Sequence, residues 1–354
     1  MRLKKSMYFK KYVFLSRHYI VDTFFTGLLF CRKMWYSVGS LGKRFGENTM
    51  EHIFIINPSA GQGKAAKLIP QIEAALEGTE YQYSIYTTTS AGDAERFVRE
   101  TCETGKEVRF YVCGGDGSFH EAVNGTKGFP NTEIGLLPVG TGNDFVRNFG
   151  KKSDFMDILS QVEGKSMPCD VIDLNGRYVV NMANIGFDCE VVVQAGEWKK
   201  KPLIRGPVAY VMGIVAEFAK PMGKRMAFRW ADGTTMTGKY LLCTLANGSF
   251  CGGGFCSSPK AALNDGLMDV GIVQMLPRRK FIGILPKYKT GTYLDTKLAA
   301  EKVLYEKVDK LELAVAEPTN ISIDGEISQF TYLKAEMVKA AFRFIVPKGL
   351  EVEK

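Results

Sequence analysis

Apolar and polar positions change rhythm twice along this chain. From His52 onward, short apolar runs alternate with stretches of helical spacing. His52–Asn57 (HIFIIN), Tyr81–Thr88, Val108–Cys113 and Ile134–Pro138 are apolar runs of strand length, most of them closed by Gly or Pro. Between them Lys64–Leu76, Ala91–Cys102 and Phe119–Val123 repeat their apolar residues at helical spacing. Asp93 and Glu95 stand in the first turn of the second helix, where the dipole favours acids. Strands alternating with helices predict right-handed crossovers and a mainly parallel sheet over residues 51–150.

After Gly150 the second rhythm begins. Cys169–Leu174, Arg177–Ile185, Arg225–Trp230, Lys239–Leu245, Met268–Val273, Lys310–Val315, Asn320–Ile323 and Lys339–Ile345 read as strands. Asn175-Gly176 and Asp232-Gly233 are turn signals between some of them. Helical stretches near Glu190–Lys200 and Pro207–Ala219 interrupt the series. This half is expected to be antiparallel, a β-sandwich or open barrel over residues 151–335. Residues 336–354 are expected to form a C-terminal segment returning to the first domain. The fold class is therefore α/β plus β, and 354 residues suffice for two cores of ordinary size.

Charge separates off a third region. Residues 1–50 hold ten of the 46 Lys and Arg but only two of the 38 acids, so they carry the whole net charge of +8. The neutral remainder excludes a nucleic-acid-binding body, which would show its own basic stripe. Tyr19–Cys31 is apolar, but Asp22 interrupts it and it is too short to span a bilayer. Two readings of this basic and aromatic leader stay open. It is an unstructured or over-extended segment ahead of a start at Met50, or an anchor resting on an anionic membrane surface. Eight cysteines without a C-x-x-C pair, beside three histidines, suit free thiols in a reducing, cytoplasmic setting.

The chemistry-bearing residues gather where strands end, and open α/β sheets bind ligands there. The first loop is Asn57-Pro58-Ser59-Ala60-Gly61-Gln62-Gly63-Lys64. It lacks the Ser or Thr of a P-loop and only loosely matches a dinucleotide pattern, because the second strand ends without an acid. Its glycines nonetheless open a helix whose N–H groups suit a phosphate. The second loop, Gly114-Gly115-Asp116-Gly117-Ser118, is more specific. Adjacent glycines let backbone approach a ligand closely, and an Asp beside phosphates ordinarily acts through Mg2+. The third loop, Pro138–Asp144, offers Thr141 as a donor to phosphate or nucleotide, with Asn143 and Asp144 as further contacts or as helix caps. In the second half, Asp324 and Glu326 place two carboxylates close together, and such a pair can supply a general base for a hydroxyl.

Taken in order, NPSAG, GGDGS, GTGND, GGG with a later DG, and DGE resemble the diacylglycerol kinase catalytic-domain family, whose bacterial lipid kinases are relatives of sphingosine and ceramide kinases. The resemblance covers about residues 51–350. It implies an N-terminal α/β nucleotide-binding domain, a C-terminal β-sandwich domain and an active site between them. It assigns Asn57, Pro58 and Gly61 to the first ATP-contacting loop and Thr88 to a nucleotide contact. Gly114, Gly115, Asp116, Gly117, Ser118 and His120 become the phosphate loop, with Thr141 opposite. Glu326 or Asp324 becomes the proton acceptor, Glu326 being favoured. A second, structural Mg2+ would be held by Asp265 with the carbonyls of Ala262 and Leu267. Two departures stand out: Ser118 replaces the usual Thr, and Phe119-His120 replace the usual aliphatic-Asn pair.

The expected function is ATP- and Mg2+-dependent phosphorylation of a hydroxyl on diacylglycerol or a related lipid. The alternatives are an NAD kinase-like phosphotransferase, which shares GGDG, and a catalytically inactive nucleotide-binding regulator. The expected partner is a lipid presented at a membrane surface, with peripheral contact on the inner face of the membrane and a homodimer among the possible assemblies.

Overall fold

A computed structural model of the chain describes residues 50–199 and 207–352. The leader, residues 1–49, lies outside the described residues. Strands β1 (Glu51–Ile56), β2 (Gln82–Thr87), β3 (Val108–Gly114) and β4 (Glu133–Pro138) pair in parallel in the order β4-β3-β1-β2. Helices α1 (Ile69–Leu76), α2 (Asp93–Glu103) and α3 (Asp116–Gly125) form the crossovers. The central strands are buried on both faces, as parallel strands between helix layers must be. One apolar cluster joins Ile53, Phe110 and Ile134 to α2 and α3, and another joins Phe54, Tyr111 and Leu137 to α1.

The chain then forms α4 (Ile158–Val162), β5 (Lys165–Leu174), β6 (Arg177–Val179), β7 (Met182–Gly186), α5 (Phe187–Lys199) and α6 (Pro207–Phe218). It continues through β8 (Lys224–Trp230), β9 (Thr235–Ala246), β10 (Met268–Gln274), α7 (Arg278–Thr290), α8 (Lys297–Lys302), β11 (Val303–Val308), β12 (Lys310–Ile323) and β13 (Glu326–Val346). These strands pair antiparallel, and one core of Ile, Leu, Val, Met and Phe side chains spans β5 to β10, β12 and β13.

Three differences from the sequence pattern have physical causes. The run Arg177–Ile185 is two strands, because the N–H groups of Val180, Asn181 and Met182 turn away to the Asp324 carboxylate. The runs Lys310–Val315 and Asn320–Ile323 are one strand with a register shift between Ala314 and Thr319. Strand β11 and helix α7 escaped the pattern. Residues 303–308 of β11 are nowhere fully buried, and Pro286 interrupts the α7 pattern.

Strand β13 ties the two halves together. Its first part pairs with β12, its second with β5, and Arg343 and Phe344 also lie parallel to β4. The strand bends where Ala340 adopts a left-handed φ of 47°. The buried Asp170 fixes this bend, accepting the N–H of Ala340 and of Gly266, each at 2.7 Å. Beyond the bend, Phe342 and Phe344 pack on Phe119 and Phe145, so α3 and the third loop share an aromatic core with β13.

Candidate functional site

The glycine loops meet because they lack side chains at their contacts. A Cβ on Gly140 would stand 2.5 Å from the Gly115 Cα, and one on Gly61 would stand 2.1 Å from the Val139 oxygen. Gly61 also has φ of 60°, a conformation glycine adopts without steric cost. The Asn57 side chain donates to Ser118 Oγ at 2.8 Å, locking the first loop to the second. Asn57, Pro58, Gly61, Gly115, Gly117 and Ser118 thus border one crevice of about 470 Å3. The first turn of α3 borders it through Gly117 and Ser118 and points the positive end of the helix dipole at it, a binding place for phosphate. Thr88 also borders the crevice, but its hydroxyl is turned to the Ile56 carbonyl at 3.3 Å. Gly114 lies behind the crevice, its Cα facing the Ser118 side chain.

Asp116 and Asp144 form an acidic pair beside this crevice. Asp116 Oδ2 and Asp144 Oδ2 would lie 2.7 and 3.4 Å from a Cβ on Gly142. Asp116 Oδ1 accepts the N–H of Asp144 at 2.7 Å and of Phe145 at 3.3 Å. Burial, and then the Asp144 charge, push the Asp116 carboxyl up to about 6. Burial also raises Asp144, although Gly253 N–H donates to its Oδ2 at 2.9 Å. Asp144 Oδ1 is buried without a hydrogen bond, Arg147 Nε lying 3.3 Å away, and the neighbouring Asn143 Oδ1 is likewise unsatisfied. Two crowded carboxylates and two unsatisfied oxygens fit a divalent cation, since oxygen-rich sets of this kind suit Mg2+. Asn143 holds φ of 52° and donates to the Gly140 carbonyl, which shapes the third loop.

The late pair Asp324 and Glu326 separates into two roles. The Asp324 side chain is 3% exposed. Its oxygens accept the N–H of Val180, Asn181 and Met182 at 2.8–2.9 Å and face His120 Nδ1 at 2.7 Å. Burial alone would raise this carboxyl, but the His120 contact and the backbone donors hold it below the usual range. His120 Nε2 accepts from Arg177 Nε at 3.0 Å, so the proton sits on Nδ1 and is donated to Asp324. Arg177 in turn pairs with Glu95 on α2. Asp324 is thereby saturated, and it orders the turn rather than presenting a free oxygen. Glu326 is exposed and borders the crevice, and its side chain makes no hydrogen bond among the described residues. Its Oε1 would lie 3.7 Å from a Cβ on Gly117.

A second cavity of about 560 Å3 abuts the same acids from the other side. Asp116, Thr141, Asp144 and Asp324 give it polar lining, while Val192 and Ala195 of α5 and Ile214 of α6 give it apolar lining. An acidic turn between a phosphate-binding crevice and an apolar cavity can present a hydroxyl on a long apolar molecule to a phosphoryl group.

The expected ligands of a second ion do not fit one. Lys307 Nζ lies 2.5 Å from Asp265 Oδ2 and 3.4 Å from Asp269 Oδ2, so an ammonium already fills the cation position. The Asp265 Oδ1 accepts the Leu267 N–H at 3.0 Å. With that carboxylate committed, Ala262 and Leu267 retain only carbonyls. No step is assigned to a metal at Asp265, Ala262 and Leu267. Among the described residues no group of three His, Cys, Asp or Glu could hold a metal, so the fit at Asp116 and Asp144 relies on these two carboxylates with oxygens from elsewhere.

Sequence reasoning missed Arg177, Asn181 and Asp188. Asp188 had the right signal: strand β7 ends at Gly186, and the acid follows in the first turn of a helix, as in the second loop. Arg177 had none, because its partners come from α2 and α3.

Comparison with known proteins shows the family of the chain. The model of the diacylglycerol kinase catalytic domain matches residues 51–174, and that of the YegS C-terminal NAD kinase beta sandwich-like domain matches residues 181–346. A protein of Alcanivorax borkumensis named "Probable lipid kinase YegS-like" is 31% identical over 273 residues, 76% of this chain and 88% of that protein. A diacylglycerol kinase of Staphylococcus aureus is 30% identical over 276 residues, 77% of this chain and 84% of that protein. The crystal structure of a diacylglycerol kinase from Bacillus anthracis shares the fold with a TM-score of 0.62 at 20% identity, covering 86% of this chain and all of that one. Among the described residues no helix is long and apolar enough to cross a membrane. With both domain models matched in sequence, and relatives of 30–31% identity matched over 84–88% of their length, this chain belongs to the diacylglycerol kinase catalytic-domain family.

Proposed function

We propose that this protein transfers the γ-phosphoryl group of ATP to the hydroxyl of diacylglycerol or a related lipid presented at the cytoplasmic face of a membrane. The observation that carries the reading is the meeting of a phosphate-binding crevice and an apolar cavity at one acidic turn. The first turn of α3, with Asn57, Ser118 and Gly61 around it, binds the triphosphate by its N–H groups. Asp116 and Asp144 would hold Mg2+, which supplies charge neutralisation for the phosphates. The lipid enters along the apolar cavity and brings its hydroxyl to the acidic turn. Glu326 accepts the hydroxyl proton as the oxygen bonds to the γ-phosphorus. The bond from that phosphorus to the bridging oxygen breaks, and ADP leaves. Asp324 positions this turn through three backbone N–H groups and His120, so Glu326 rather than Asp324 is the base.

The test is incubation with radiolabelled ATP and a panel of lipid alcohols in mixed micelles, with NAD as a separate acceptor. Label in a lipid phosphate, abolished by Asp116→Ala in a protein with unchanged circular dichroism, is expected. Label in NAD with none in any lipid would replace this reading by a nucleotide kinase. ATP binding without transfer to any acceptor would replace it by a regulator.

A further inference from the structure

The apolar cavity contains a carboxylate that the phosphoryl-transfer chemistry does not use. Asp188 stands in the first turn of α5, and with Val192 and Ala195, four and seven residues on, it forms the helix face that lines the cavity. The residue is half-buried in the cavity wall. Tyr288 of α7 donates its hydroxyl to Asp188 Oδ2 at 2.7 Å. The other oxygen, Oδ1, accepts no hydrogen bond among the described residues. Asp188 keeps partial exposure and lines the cavity. Burial raises the carboxyl to about 6, opposed by the Tyr288 hydrogen bond, and in its ionised form it accepts hydrogen bonds only. Asn184, on the adjoining β7, lines the same cavity. Thr244 donates to its Oδ1 at 3.2 Å, which leaves the amide NH2 to face the cavity as a donor.

An occupant of the cavity that lacks a donor leaves this carboxylate oxygen unpaired once it fills the space beside it, whereas one that carries a donor avoids that cost. Resting on the lipid-kinase reading above, we propose that Asp188 selects the acceptor lipid, requiring a second hydroxyl or N–H group close to the phosphorylated hydroxyl. A 1,2-diacylglycerol offers only ester oxygens at that place and would face the anion without a donor. A monoacylglycerol, or an amino- or amide-bearing lipid alcohol, satisfies it. The Asn184 amide then receives an ester or amide carbonyl of the same lipid.

The experiment compares 1-acylglycerol with 1-acyl-2-O-methylglycerol, two acceptors of similar size that differ in one donor, with 1,2-diacylglycerol as a third. For the wild type, kcat/KM is expected to favour the free 2-hydroxyl by about tenfold or more, the discrimination one hydrogen bond to a charged group supports. Asp188→Leu is expected to bring the ratio near one while the O-methyl lipid is still phosphorylated, with the change mainly in KM. Tyr288→Phe, which keeps the carboxylate but removes its orienting donor, is expected to give an intermediate ratio. A wild-type ratio near one, or a ratio unmoved by Asp188→Leu and by Asp188→Asn, would overturn the assignment while leaving the kinase reading intact. Absence of phosphate in every lipid would overturn the kinase reading and this inference with it.

Discussion

At the residue scale, two acids two positions apart stand in opposite environments. Asp324 is enclosed by three N–H groups and the Nδ1–H of His120, while the Glu326 side chain is exposed and without a hydrogen bond among the described residues. Glu326→Gln is expected to lower kcat by roughly 10²–10⁴, the usual contribution of a general base, without changing the unfolding midpoint. Asp324→Asn is expected to cost stability instead. The amide nitrogen would meet the Val180 N–H and the His120 Nδ1–H, and His120 cannot change tautomer without losing Arg177. One such hydrogen bond to a charged group is worth roughly 1.5–3 kcal/mol. The folded carboxyl titrates below its unfolded value, so its stabilisation is complete above pH of about 4 and fades as pH falls through the folded value. Urea unfolding should therefore show a constant gap between wild type and Asp324→Asn from neutrality to about pH 4, closing below it. A kcat loss in Asp324→Asn equal to that in Glu326→Gln, at unchanged stability, would move the base to Asp324.

At the element scale, the site depends on loops that touch backbone to backbone. Gly140→Val sets side-chain carbon where the Gly115 Cα already lies within 2.5 Å, so the second and third loops must part. The expected result is a rise in KM for ATP by an order of magnitude or more, read by initial rates, with a smaller effect on KM for the lipid. The turn after β9 gives a second prediction. Lys307 compensates Asp265 and the buried Asp269, so Lys307→Met leaves two acids crowded without a cation. In an Asp116→Ala background, Lys307→Met is expected to unfold at lower temperature and to regain stability with added Mg2+ or Ca2+. The parent with Lys307 should not respond, and an equal response of both would show that the ammonium does not substitute for a metal.

At the scale of the whole molecule, one strand belongs to both cores. β13 contributes Leu333 and Ala335 to the antiparallel core and Phe342 and Phe344 to the core around α3. Neither core is complete without it, so calorimetry is expected to give one unfolding transition with equal calorimetric and van't Hoff enthalpies. Two resolved transitions would mean that the halves fold apart. The shared strand also explains how Glu326, which opens β13, is held in register with α3. The same chain segment that starts at Glu326 ends in the aromatic packing beneath the Gly114–Ser118 loop.

The periodic pattern by itself determined the element types of the first half and most strands of the second, because burial on a sheet or helix face imposes a repeat on neighbouring residues. The loops Asn57–Gly61, Gly114–Ser118 and Thr141–Asp144 were legible for the same local reason: backbone that closely approaches backbone or ligand must be glycine, and the polar residues between the glycines have no core to fill. The tertiary structure alone decided what depends on partners far along the chain. It divided Asp324 from Glu326, filled the Asp265 position with Lys307, threaded Glu95, Arg177 and His120 into one hydrogen-bonded line, and brought Asp188 to the wall of the apolar cavity. A carboxylate's task is set by the donors and charges within a few ångströms of it, and in a fold of this topology those neighbours come from segments that no local pattern connects.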